Sequence, residues 1–143
     1  MNLIILKDKL LNAAEKIGLT VEEETAESLT MHAQITAKNY FPNNVYCRLV
    51  AFSSGTFHLF LTFDEIEKSY DNLFLLNAFN DNNPWFRGYI TNIHDKDYLE
   101  LHYVAIALDK EDDVVDTFGY LLTDILKEDI LKYLRPLINN SEN

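Results

Sequence analysis

The sequence predicts an α+β domain: one antiparallel sheet flanked by helices, in the order α-β-β-β(-β)-α-β-β-α. Three observations carry that expectation. Apolar residues recur at spacings of three and four at the start, the middle and the end of the chain, the period of a helix face. Between these stretches they alternate with a period of two, over segments joined by short polar turns. No repeated strand–helix–strand crossover occurs, and a parallel sheet requires one.

The first helix is expected over residues 3–17, where Leu3, Leu6, Leu10, Ala13 and Ile17 form the apolar face. Asn2 is placed to cap its start, and Gly18 to end it in the left-handed conformation that glycine adopts freely. From Thr20 the period becomes two. TVEEET reads as an edge strand whose charges discourage pairing with other chains. Leu29, Met31, Ala33, Ile35 and Ala37 alternate with Thr30, His32, Gln34 and Thr36, as in a half-buried strand. After the turn NYFPNN, the segments VYCRLVAF and TFHLFLTF form a hairpin around Ser53, Ser54 and Gly55.

Tyr70 to Thr91 is the segment around which the chain is organised. A helix begins after Ser69, its expected N-cap, and ends at Asp81-Asn82-Asn83-Pro84, because Pro84 pushes the preceding residue out of helical geometry. Tyr70, Leu73, Phe74, Asn77 and Asn80 share one side, and Leu75, Leu76 and Phe79 widen the apolar surface. Such a helix lies centrally or at an interface. Strands follow over 85–91 and 98–107, around the turn NIHDKD. One last helix is expected from Asp112 or Asp113 to Leu137, with Pro136 helping to stop it. A single domain then covers residues 1–138, and 139–143 form a frayed tail.

At 143 residues the chain fits one domain, which buries roughly 68–70 % of its unfolded surface. The net charge of −11 repels phosphate backbones and anionic membranes, so nucleic acid and membrane are excluded as partners. Cys47 is the lone cysteine, so neither an intrachain disulfide nor a cysteine-based metal site is expected. The start of the chain has no basic region ahead of its apolar run and no small-residue cleavage site, and no stretch reaches 18 apolar residues. A cytoplasmic protein is expected.

No catalytic, cofactor-binding or metal-ligating set emerges. His32, His58 and His102 fall on the solvent side of strands and His94 in a turn, with no spacing that makes two of them metal ligands. The carboxylates cluster at Glu22–Glu24, Asp64–Glu67 and Asp109–Asp113, where they serve as surface or caps. DKEDDVVD lacks the central glycine and the closing glutamate of a calcium loop. There is no phosphate-cradling glycine loop and no nucleophile elbow. Asn77 and Asn80 stand out, because asparagine is a poor helix former on an apolar helix. On a structural reading, Asn77 bonds into a neighbouring strand or loop and Asn80 caps the helix end. On a functional one, both hold an extended partner backbone.

The segment LLNAFNDNNPWFRGYI, followed by DYLELHYVAIAL, resembles the YbjN-like branch of the type III secretion chaperone-like fold. The resemblance rests on Leu76-Asn77 with Asn80 three residues on, an aromatic-led strand, a polar turn and an apolar strand before the last helix. It implies an α+β domain that often dimerises and acts by binding protein rather than by catalysis. Residues 20–63 depart from the secretion chaperones in reading as four strands where three are usual. The expected function is a chaperone- or adaptor-like protein-binding module without enzymatic activity. The alternative is an acidic inhibitor or immunity-type protein that neutralises a basic partner. Candidate partner-binding or structural residues are Asn77, Asn80, Phe74, Phe79, Trp85 and Phe86. A homodimer is expected because the central helix and Trp85-Phe86 carry more apolar surface than one sheet covers. A last helix folded back over the same residues would cover it instead.

Overall fold

A computed structural model describes residues 1–106 and 108–140, with side chains through Ile138. Four helices and six strands occur in it: α1 (Leu3–Ala13), β1 (Thr20–Glu24), β2 (Ser28–Ile35), β3 (Val45–Phe52), β4 (Phe57–Glu65), α2 (Tyr70–Asn82), β5 (Arg87–Ile93), β6 (Lys96–Ala105), α3 (Glu111–Asp124) and α4 (Glu128–Asn140). The strands form one sheet in the order β1-β2-β3-β4-β6-β5, and every neighbouring pair is antiparallel. All four strands read between residues 20 and 63 are present. The strand expected at 98–107 starts earlier, at Lys96, and ends at Ala105; Ala107 lies outside the described residues.

Local signals account for the element ends. The Asn2 side chain accepts bonds from the Ile4 and Ile5 amides at 3.0 and 3.1 Å, which caps α1. The expected first helix is shorter than read: it ends at Ala13, and a single 3₁₀ turn over Glu15–Ile17 carries the chain to Gly18 at φ 69°. Ala14 takes the buried place assigned to Ala13, which is exposed. His94 and Asp95 turn β5 into β6 with φ 52° and 64°, the doubly left-handed turn that matches strand twist in a two-residue hairpin.

One face of the sheet is covered. Met31, Leu49, Leu59 and Leu101 occupy it, fully buried, and all four belong to one continuous core with Leu6 and Leu10 of α1, Phe79 of α2, Leu121 of α3 and Leu134 of α4. The other face, with His32, Arg48, Phe60 and His102, stays partly or fully open to solvent.

The expected single last helix is two. Leu126 and Lys127 bond back three residues, to Thr123 and Asp124 at 3.2 and 3.0 Å, so the helix tightens and stops. The Lys127 carbonyl then accepts from Ile130 and Leu131, each at 2.9 Å, and opens α4. The break lets α3 pack on α1 while α4 turns to pack on α2. Pro136 does not end the helix but lies inside α4. That helix runs to Asn140; residues 141–143 of the expected tail lie outside the described residues. Among the described residues no helix is long and apolar enough to cross a membrane.

Candidate functional site

The helix α2 presents two unlike faces. Ser69 accepts the Asn72 amide at 3.2 Å and starts it. Inward, Leu76 and Phe79 are buried at 4 % and 0 % exposure, as is Phe86 of the following loop at 3 %. Outward, Tyr70 is 92 % exposed, Phe74 72 % and Leu73 39 %. At spacings of three and four these three side chains form one apolar stripe on the helix surface. The candidates Phe79 and Phe86 are therefore core, while Phe74 and Trp85 reach solvent. The last helix does fold back, since α4 covers part of α2, but it leaves this stripe open.

The two asparagines do not take the roles expected of them. Asn77 is exposed and its side chain bonds to no described residue, so it does not tie α2 to a strand. Asn80 does. Its amide nitrogen donates to the Gly88 carbonyl at 3.0 Å, and its oxygen accepts the Gly88 amide at 2.7 Å. The side-chain amide thus stands where a neighbouring strand would stand, and closes the outer edge of β5 at this point. Gly88 allows the approach: a Cβ there would meet Leu76 at 2.8 Å, Leu101 at 3.1 Å and Phe79 at 3.2 Å. Asn83, buried, accepts the amides of Trp85 at 2.9 Å and Phe86 at 2.6 Å and fixes the loop into β5.

The open face of the sheet carries an arrangement that sequence spacing did not show. His58 of β4 and His102 of β6 lie 44 positions apart, and their Nδ1 and Nε2 atoms meet at 2.9 Å. His102 stacks on Phe60 with centroids 4.4 Å apart, and Phe52 meets His58 edge-on at 6.1 Å. One imidazole donates and the other accepts, so the bond needs a neutral ring. Burial, and then His58, hold His102 below the ordinary imidazole value, against an opposing pull from Glu100. Beside this pair Glu100 accepts from Tyr89 at 2.6 Å and from Thr62 at 3.2 Å. A concavity of about 480 Å³ opens on the same face, lined in part by Tyr46, Arg48, Phe60, Tyr98 and Glu100.

Cys47 is buried, and burial pushes its thiol up to about 12; a thiol so placed stays protonated and is not an activated nucleophile. Among the described residues no group of three or more His, Cys, Asp or Glu side chains could hold a metal ion.

A six-stranded antiparallel sheet with one open face and helices on the other defines the class: an α+β fold of the YbjN-like kind. The crystal structure of YbjN from E. coli, described as a proposed transcription regulator, superposes with a TM-score of 0.52. The match covers 89 % of this chain and 87 % of that one at 14 % identity, so what is shared is the fold. No family model matches the chain, and no curated protein matches it.

Proposed function

We propose that this chain is a non-catalytic protein-binding module, chaperone- or adaptor-like, that works in the cytoplasm as a homodimer. The observation that carries the reading is the outward stripe of α2. Tyr70, Leu73 and Phe74 stay exposed although the opposite side of the same helix is packed into the core. A contiguous apolar stripe of this kind on a stable scaffold marks an interaction surface. A second copy would meet it across a two-fold axis, stripe against stripe. The role named for YbjN is that protein's. With a net charge of −11, this chain would take part in transcription through a protein contact rather than by binding DNA.

Light scattering at micromolar concentration tests the dimer: a mass near 16.6 kDa would rule it out, and about twice that supports it. Phe74→Asp is the informative variant, because Phe74 is exposed and the fold does not depend on it. It should revert to a monomer that keeps the parent's circular dichroism spectrum. Phe79→Asp, which puts a charge into the core, should simply unfold.

The acidic-inhibitor reading has its own support in β1, whose five residues are all exposed and include Glu22, Glu23 and Glu24. Ionic strength separates the two. Binding through acidic side chains weakens steeply with salt, whereas binding through the α2 stripe does not.

A further inference from the structure

Three aromatic rings from three separate elements converge beside α3. Trp85 comes from the loop into β5, Tyr103 from β6 and Tyr120 from α3, and together with Asp116 and Thr117 they line a cavity of about 280 Å³. The Trp85 ring stands at 79° to Tyr120 with centroids 5.8 Å apart, and at 51° to Tyr103 at 6.5 Å. In neither pair are the rings parallel, so they wall the space from different sides instead of closing on one another as a stack. Trp85 and Tyr120 are 44 % and 48 % exposed, so the cavity opens to solvent. Its walls are held in place beforehand: Asn83 pins the Trp85 amide at 2.9 Å, and Phe86 meets Tyr103 edge-on at 6.5 Å.

The chemistry of the lining selects a charge. Aromatic faces attract cations through the ring quadrupole, most strongly those whose charge is spread and weakly hydrated. Asp116 adds a carboxylate at the rim, exposed and without an ion-pair partner among the described residues. Tyr120 already takes one cation: Lys127 Nζ lies 5.2 Å from its centroid, outside the cavity lining and neutralised by Asp124 at 2.8 Å. The volume falls just below the roughly 300–1,000 Å³ of drug-sized sites, which suits a head group better than a large ligand. The geometry points to a site for a methylated ammonium group, walled by Trp85, Tyr103 and Tyr120 and balanced by Asp116. Such a group comes from a free quaternary amine or from a methylated lysine on a peptide. This inference stands apart from the α2 stripe and does not need the dimer.

Trp85 is the one tryptophan of the chain, so its emission reports the site directly. Choline and a short trimethyllysine peptide are each titrated at constant ionic strength, beside 3,3-dimethylbutanol, which has the shape of choline without its charge. A saturable change in Trp85 emission is expected with choline, with the peptide, or with both, and its absence with the neutral isostere. Saturation by choline and not by the peptide assigns a small-molecule site, and the reverse a peptide site. Tyr120→Ala should weaken binding about tenfold, and Asp116→Asn should weaken it less, with circular dichroism unchanged in both. No saturation by either cation, equal binding of the isostere, or undiminished binding by Tyr120→Ala would each overturn the assignment. None of these results bears on the monomer–dimer measurement, so the two readings fail independently.

Discussion

Asn80 and Gly88 act as one unit, the side-chain amide of one bonding both backbone groups of the other. With Asn80→Ala, the partly buried Gly88 amide and carbonyl lose both partners, at a cost of about 1–3 kcal/mol. Gly88→Ala is expected to destabilise by pressing its methyl group onto Leu76 at 2.8 Å. Urea denaturation reads both, and an unchanged midpoint for Asn80→Ala would show the clamp to be dispensable. Asn77 has the opposite outlook. Exposed on the helix, it can be replaced by leucine without loss, and the better helix former should gain about 0.5 kcal/mol or less. The histidine pair adds a pH dependence. His102 titrates lower in the folded chain than when unfolded, so below the unfolded value of about 6.5 the unfolded state binds more protons. Stability from this group is therefore complete above that pH and is lost as pH falls toward the folded value. His102→Gln should flatten the fall in urea midpoint between about pH 7.5 and about pH 5.5. Equal slopes in the variant and the parent would remove His102 as its source.

At the scale of elements, α2 is held from outside more than from within. Its turns include several asparagines, weak helix formers, and its support comes from the Ser69 cap and from packing on β5 and α4. Ser69→Ala should cost about 1 kcal/mol, and a loss well below that would mean that packing alone sets the start of the helix. The break between α3 and α4 has the same character. A continuous helix from Glu111 to Asn140 would carry its second half away from α2. Three residues of tightened turn keep both halves on the sheet, with Lys127 bonded to Asp124 at 2.8 Å across the corner.

For the whole molecule, the charge of −11 weighs against compaction. Six ion pairs are present among the described residues, and all but the one at Asp124 join partly exposed or exposed side chains, which contribute little each. Self-repulsion is the larger effect, so salt should stabilise. Raising ionic strength from about 0.1 M to about 1 M shortens the screening length from about 10 Å to about 3 Å. The thermal midpoint is expected to rise across that range, and a fall would mean that specific ion pairs outweigh repulsion.

The alternation of Phe57, Leu59, Leu61 and Phe63, the caps at Asn2 and Ser69 and the turn at Gly18 were all legible in the sequence. Each depends on backbone geometry within a few residues, and a local pattern is enough to specify it. The antiparallel sheet followed, because short polar turns leave adjacent strands no other way to pair. Three things were not legible: which asparagine holds β5, that His58 meets His102, and that Trp85, Tyr103 and Tyr120 surround one cavity. These residues come from different elements, and their distances are set by how α2, α3 and the sheet pack together. Packing also split the last helix, since the apolar stripe from Val114 to Leu137 is equally compatible with one rod or with two. Only burial against α1 and α2 chooses between them.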